Sequence, residues 1–246
     1  MLLTKNSCRT CHTSFKTFGR WDPTKEYRLS HLCSFETGDI RKKIKELNNF
    51  DIIILGAIGQ VFGDYFTTGN MVSIREGSVF GKHCSVGTFS DIQGDVKFGN
   101  YCRLNSHVQI ASKCVFGSFV FIYPMVVFTN DPLPPSKHLV GTIVGDFSQI
   151  AAGSIILPGL SIGKHCLIGA NSLINKSVAD YEFHAGNPAV RIGKTTHIWS
   201  KEDKRPHYPW PYNFDRGMPW AEIGFDEWTK TEEGKAYALQ NSKNIT

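Results

Sequence analysis

The sequence has no long apolar run. Its longest largely apolar stretch, from Ile52 to Phe62, falls far short of the ~20 residues that a membrane-spanning helix needs. The opening MLLTKNSCRT carries no hydrophobic segment of signal-peptide length. Both absences predict a soluble, cytoplasmic protein with no membrane partner. Strong charge is missing too: 27 Lys and Arg stand against 22 Asp and Glu, a net charge of +5. The basic residues are scattered, with no nucleic-acid motif among them. That argues against DNA or RNA and for anionic small molecules. The seven cysteines suggest no disulfide framework in a reducing cytosol. Cys8, Cys11 and His12, with Cys33 or His31, have the bite of a tetrahedral zinc site. The run is also formally a haem-attachment pattern. Unliganded thiols on a surface arm are the expectation, with no metal.

What is present is a ladder. Phe62-Gly63, Phe80-Gly81, Phe98-Gly99 and Phe116-Gly117 lie 18 residues apart. Every sixth residue from Ile74 to Phe128 is large and apolar. Four residues after each comes a small or β-branched one, as at Ser78, Cys84, Ser90 and Cys102. A period of six fits neither a helix nor an alternating strand. It fits a three-sided parallel β-helix, with one hexad per side and three hexads per coil. The four phenylalanines then form a column down an inner wall. Glycine follows at the bend, where a left-handed backbone is least costly. Cys84, Cys102, Cys114 and Cys166 fall on inward small positions, where a thiol behaves as a small hydrophobe. The register lapses after Phe128, resumes at Val144 and runs to Ile174 and Val178. That gap is not a multiple of six, so residues 129–143 (TNDPLPPSKHLVGTI) leave the wall as a loop. An insertion into so regular a scaffold is a natural place for function.

Outside the repeat, residues 1–60 read as a small α/β cap, with strands at 28–35 and 50–55 and a helix at 40–47. Residues 56–59 (GAIG) lack the spacing of a dinucleotide loop. Residues 193–246 are an aromatic-rich extension holding Trp199, Tyr208, Trp210, Tyr212, Phe214, Trp220, Phe225 and Trp228. These rings are expected to pack the extension onto the prism or a neighbouring subunit, with sugar stacking as the alternative. A helix is expected over residues 228–239.

The hexads, the outlying loop and the exit AGNPAVRIG resemble the hexapeptide-repeat acyltransferases, which are left-handed parallel β-helices. Handedness comes from this resemblance alone, since parallel crossovers are otherwise right-handed. Within the family, VVFTNDPLPPS followed by IAAGSIILPGLSIGKHCLIGANSLI is similar to the N-acetyltransferases of nucleotide-linked amino sugars. The resemblance implies a mainly β chain with the β-helix over residues 61–192. It also implies acetyl-CoA as co-substrate and a homotrimer with sites between prisms. The acceptor would be the amino group of a nucleotide-linked amino-deoxy sugar destined for a surface polysaccharide such as lipopolysaccharide. Pantetheine would pass Ala151, Ala152, Gly153, Gly169 and Ala170, where small residues permit close approach. Lys176, Arg191 and Lys194 would lie near the CoA phosphates.

Acetyl transfer to an amine needs little help, whereas a sugar hydroxyl needs a general base. The candidate bases are His83, His107, His138 and His165. His107 falls where the amino-sugar enzymes tend to carry an Asn or His facing the acceptor. Asn130 and Asp131 open the loop and are candidates to hold the amine. His83 shares a column with Tyr65, Tyr101 and Phe119, which favours simple packing. The alternatives are O-acetylation of a sugar or another small acceptor such as an antibiotic, and a β-helix that serves only as an assembly subunit. A γ-type carbonic anhydrase shares the fold, but its close His pair (H-x4-H) is absent here.

Overall fold

The computed structural model describes residues 52–54, 60–202 and 204–242. The Cys8/Cys11 cluster, the strand at 28–35, the helix at 40–47 and the GAIG segment lie outside them. Each hexad contributes one short strand, and strands one coil apart pair in parallel. Lys97–Phe98, for example, lies between Val79–Phe80 and Val115–Phe116. The result is a three-sided prism. Face one is the seven-stranded sheet that includes Gln109–Ile110, and face two is the six-stranded sheet that includes Lys97–Phe98. Face three is the eight-stranded sheet that includes Arg103–Leu104 and ends in an antiparallel hairpin, Glu182–Gly186 with Ala189–Lys194. Residues 186–189 are therefore the turn of a hairpin that stays on the prism. Ile52–Ile54, near the end of the expected cap, pairs with Val72–Ile74 as the edge strand of face one.

The inner wall is the one the period of six predicts. Phe62, Phe80, Phe98 and Phe116 stack with centroid separations of 5.7, 4.7 and 4.5 Å. Around them Val86, Leu104, Ile110, Ile122, Ile150 and Ile168 are buried. Each such side chain contributes about 1.5–3 kcal/mol by leaving water. The small inward residues do more than fill space. Ser90 Oγ donates to the Asn105 carbonyl at 3.2 Å, Ser148 Oγ to Gly163 at 2.7 Å and Cys84 Sγ to Gly99 at 3.1 Å. Each satisfies a corner carbonyl of the next coil, so a buried polar atom is not left orphaned.

The left-handed corners lie elsewhere than expected. Positive φ falls three residues after each inward residue, at His83, Phe89, Asp95, Tyr101 and His107, and at Gly77, Gly153 and Gly159. The Phe-Gly glycines are not among them. They are needed for close approach: a Cβ on Gly81 would strike the Gly99 carbonyl, and one on Gly99 would strike the Gly117 backbone.

These left-handed residues form columns along the prism's edges. Between faces two and three run the stacked rings of Tyr65, His83, Tyr101, Phe119, Phe147, His165 and Tyr181. The C-terminal extension packs on this aromatic corner and on face three. Trp210, Trp220, Trp228 and Tyr237 form a buried cluster with Phe119, Phe121 and Phe147. The rings thus pack the extension onto its own prism. The helix expected at 228–239 is two: α1, Phe225–Lys230, and α2, Glu232–Ser242. Thr231 is extended between them, and its hydroxyl accepts the Gly234 N–H at 3.1 Å, capping α2.

Candidate active site

The corner between faces three and one is not covered by the aromatic cluster of the extension. Along it stand Phe89, His107, Met125, Gly153 and Asn171, linked coil to coil. Met125 N donates to the Ser106 carbonyl, Gly153 N to Pro124 and Asn171 N to Ala152. His107 is exposed and stacks on Phe89 at 5.2 Å. Two coils below it, about 10 Å at strand spacing, lies Gly153. A Cβ there would meet the Asn171 carboxamide, and φ is +72°.

The residues around Gly153 leave hydrogen-bonding capacity open. On the corner between faces two and three, three successive N–H groups two residues past the inward one are taken by a side chain of the next coil. Lys82 N donates to Asn100 Oδ1 at 2.8 Å, Asn100 N to Ser118 Oγ at 2.9 Å and Ser118 N to Asp146 Oδ1 at 2.7 Å. The equivalent positions here are Ala152 and, one coil on, Ala170. Alanine offers no acceptor. Two amide donors one coil apart, those of Ala152 and Ala170 on the corner that holds His107, thus have no partner among the described residues. Ala151 and Gly169 use their own N–H groups within the ladder, bonding to Ile168 and His184.

The loop occupies a different corner. Ile110 pairs with Phe128, so Asn130 stands over Ser112, and its Nδ2 donates to Ser112 Oγ at 2.7 Å. That is five residues along the coil from His107, about 16 Å of extended chain. One prism therefore lines up His107, Ala151, Ala152, Gly153, Gly169 and Ala170 along one corner and sets Asn130 and Asp131 on the next. Asp131 holds the loop in shape. Its carboxylate accepts Ser136 Oγ at 2.7 Å, Ser136 N at 2.8 Å and Leu133 N at 3.1 Å. These bonds, that of the Ser136 hydroxyl first, hold its carboxyl below the usual range. His138 lies exposed in the same loop.

Two other histidines belong to the aromatic corner. Burial pushes His165 down to about 4, so it is a poor proton acceptor at neutral pH. His83 is also lowered, by burial and then by Lys82. Both are packing residues.

At the base of the prism a cavity of about 220 Å³ is lined by Asn175, Lys176, His184, Ala189 and Arg191. Lys176 and Arg191 therefore share one site. Glu182 joins the hairpin to it: one oxygen is 2.7 Å from Arg191 Nε and the other 2.9 Å from His184 Nε2. Lys194 ends the hairpin, exposed.

Residues 141–176 match the family model of the bacterial transferase hexapeptide, six repeats. The matched residues lie within the prism, from just before Ile143–Val144 to just after Leu173–Ile174. A chloramphenicol acetyltransferase of Klebsiella aerogenes is 38% identical over 53 residues, which is 22% of this chain and 25% of that protein. A dTDP-3-amino-3,6-dideoxy-alpha-D-galactopyranose 3-N-acetyltransferase of Aneurinibacillus thermoaerophilus is 37% identical over 60 residues, 24% of this chain and 31% of that protein. The polySia-specific acetyltransferase NeuO superposes with a TM-score of 0.43 at 18% identity, over 78% of this chain and 98% of that one. The chain spans between 25% and 44% of the length of the curated relatives it matches.

Sequence reasoning missed Glu182 and His184 at the end of the prism. The six-residue period ends at Val178, so no register placed them. A weaker signal was available: two polar residues two apart in an extended segment share a face.

Proposed function

We propose that the hexapeptide-repeat domain transfers an acetyl group from acetyl-CoA to the amino group of a nucleotide-linked amino-deoxy sugar, for surface polysaccharide synthesis in the cytoplasm. One observation carries the reading: the open N–H groups of Ala152 and Ala170, stacked on the corner that holds His107. An extended pantetheine arm has amide carbonyls to accept those donors, and the small side chains let it approach. Lys176 and Arg191, with Lys194 nearby, supply positive charge at the base of the prism for the CoA phosphates.

The amine attacks the thioester carbonyl. As the tetrahedral intermediate forms, a backbone N–H on this corner stabilises the oxyanion, and His107 takes the proton from the amine nitrogen. Collapse expels the CoA thiolate. Asn130 and Asp131 stand on a different corner of the prism from His107, so they would serve a neighbouring copy's corner. Faces one and two and this corner carry exposed Val115, Ile143, Ile155, Phe89 and Met125, and such apolar patches suit subunit contacts. With face three covered by the extension, the two remaining faces serve a homotrimer.

The test is an acceptor screen over nucleotide-linked 3-amino and 4-amino sugars, reading free thiol. Acetyl-CoA-dependent thiol release with one of them is the expected result. Release only with hydroxyl acceptors would shift the reading to O-acetylation. No CoA binding at all would leave a β-helix without this activity. A fully active monomer by light scattering would remove the shared site.

A further inference from the structure

The C-terminal extension encloses a cavity of about 630 Å³ that acetyl transfer leaves unused. Its lining comes wholly from residues 205–227, and none of it from the corner that holds His107. The volume is that of a pocket for an organic ligand, beyond what a few ordered waters fill. Most large rings of the extension are used in packing: Trp210, Trp220 and Trp228 are buried. Tyr212 is different. It lines the cavity at 50% exposure, with Ile223 at 48%. Its hydroxyl donates to Asp226 Oδ1 at 2.8 Å. Its ring lies 5.1 Å from that of Phe225, the two planes 80° apart. These two contacts fix an aromatic ring at the cavity wall.

The polar groups of the lining narrow the ligand class. Asn213 Nδ2 donates to the His207 carbonyl at 2.7 Å, which sets the orientation of the amide. Its Oδ1 is left buried without a partner. An unmet buried acceptor is costly, and a ligand donor would relieve it. Asp215 and Arg205, both exposed, add an acceptor and a donor. Glu227 is offset by Lys230 at 2.6 Å. One guanidinium against the two remaining carboxylates, Asp215 and Asp226, gives a lining with a slight negative excess. That excess repels phosphates, so a nucleotide-linked sugar does not suit this cavity. An ammonium ligand matches the excess but sets Arg205 against a like charge. A neutral pyranose meets every requirement. One face of its ring is made of C–H groups that can lie on an aromatic ring, and its hydroxyls both donate and accept.

We infer that the cavity is a non-catalytic sugar site, which holds a neutral pyranoside with its C–H face on Tyr212 and its hydroxyls on Asn213, Asp215 and Arg205. The site binds without reacting, and it stands whether or not the prism transfers acetyl groups.

The experiment is saturation-transfer difference NMR of the full chain, titrated with maltose, cellobiose, lactose, mannobiose and N,N′-diacetylchitobiose. At least one should bind with a dissociation constant in the millimolar range or below. Asp215→Ala, at an exposed position, should weaken that binding by about tenfold or more, the scale of a hydrogen bond to a charged group, with Tm unchanged. Tyr212→Ala should abolish it, while Tyr212→Phe keeps the ring and should retain it. His107→Ala should bind the sugar as the wild type does, because its corner contributes nothing to the cavity. No binding of any of the five sugars overturns the inference, as does binding of spermidine in their place. So does a folded Asp215→Ala with undiminished affinity. Binding lost in His107→Ala but kept in Tyr212→Ala would move the sugar to the acetyl-transfer corner and overturn it too. Should Tyr212→Ala unfold the extension, Asp215→Ala decides. A wild type that binds one of these sugars but transfers no acetyl group to any acceptor would sink the function proposed above and leave this site standing.

Discussion

His165 lies face to face with Phe147, their ring centroids 4.8 Å apart and their planes 2° from parallel. Tyr181 covers its other face at 4.9 Å, and its Nδ1 is buried without a partner. Burial pushes the imidazole down to about 4, against a smaller opposing pull from Asp180. The unfolded chain therefore takes up a proton before the folded one does. Stability from this site is fully present above about pH 6.5 and declines as pH falls from there towards 4. His83 in the same column acts in the same direction.

We expect His165→Phe, which continues the aromatic column, to flatten that decline. Urea unfolding at pH 7 and pH 5 would measure it. The wild type should lose stability relative to the variant between the two, by up to a few kcal/mol. Parallel pH dependences would mean that His165 protonates freely in the folded state.

Phe98 stands at the middle of the inner column, stacked between Phe80 and Phe116 and 4% exposed. Phe98→Ala should lower stability by about 3–5 kcal/mol, because parallel coils above and below prevent the wall from collapsing into the gap. Denaturant titration monitored by circular dichroism is the check. A midpoint shift worth less than 1 kcal/mol would contradict the column.

The extension should loosen without the prism. Trp228 is 2% exposed and packs edge-on against Phe119 at 5.7 Å and beside Trp220 at 5.1 Å. Trp228→Ala should raise hydrogen exchange across α1 and α2, while amides in the strands from Ser85 to Ile174 stay protected. Exchange rising equally throughout would show that prism and extension form one cooperative unit.

On the proposed acceptor, His107→Ala should lower kcat by about 10²–10⁴, the usual span for one general base. Raising pH should recover part of the loss if the nucleophile is an amine, and none of it if the nucleophile is a hydroxyl. Asn130→Ala should chiefly raise KM. Turnover of His107→Ala within about threefold of wild type would take His107 out of the mechanism.

How far the fold could be read depended on which interactions repeat. Phe80, Phe98 and Phe116 recur because identical coils demand identical inner walls, so a linear pattern reports them. The glycines after them recur for the same reason, but the period does not say what each one is for. Whether Gly81 needs a left-handed φ or merely an empty Cβ position depends on the Gly99 carbonyl one coil away, which no local pattern contains. Asp131 shows the same limit: its oxygens turn back to Ser136 and Leu133 in a loop with no repeat to constrain it.

The sequence by itself determined the prism, its 18-residue coil, the inward thiols and the point where the loop departs. Each of these follows from burying one apolar residue per hexad. Only the tertiary structure decided three other matters. It put the extension's tryptophans on the aromatic corner, left the N–H groups of Ala152 and Ala170 open beneath His107, and joined Glu182, His184, Arg191 and Lys176 around one cavity. The reason is physical. Stacking brings residues a whole coil apart into contact, and past Val178 the chain reverses into a hairpin whose register is set by pairing with Leu167–Ile168, no longer by the period of six.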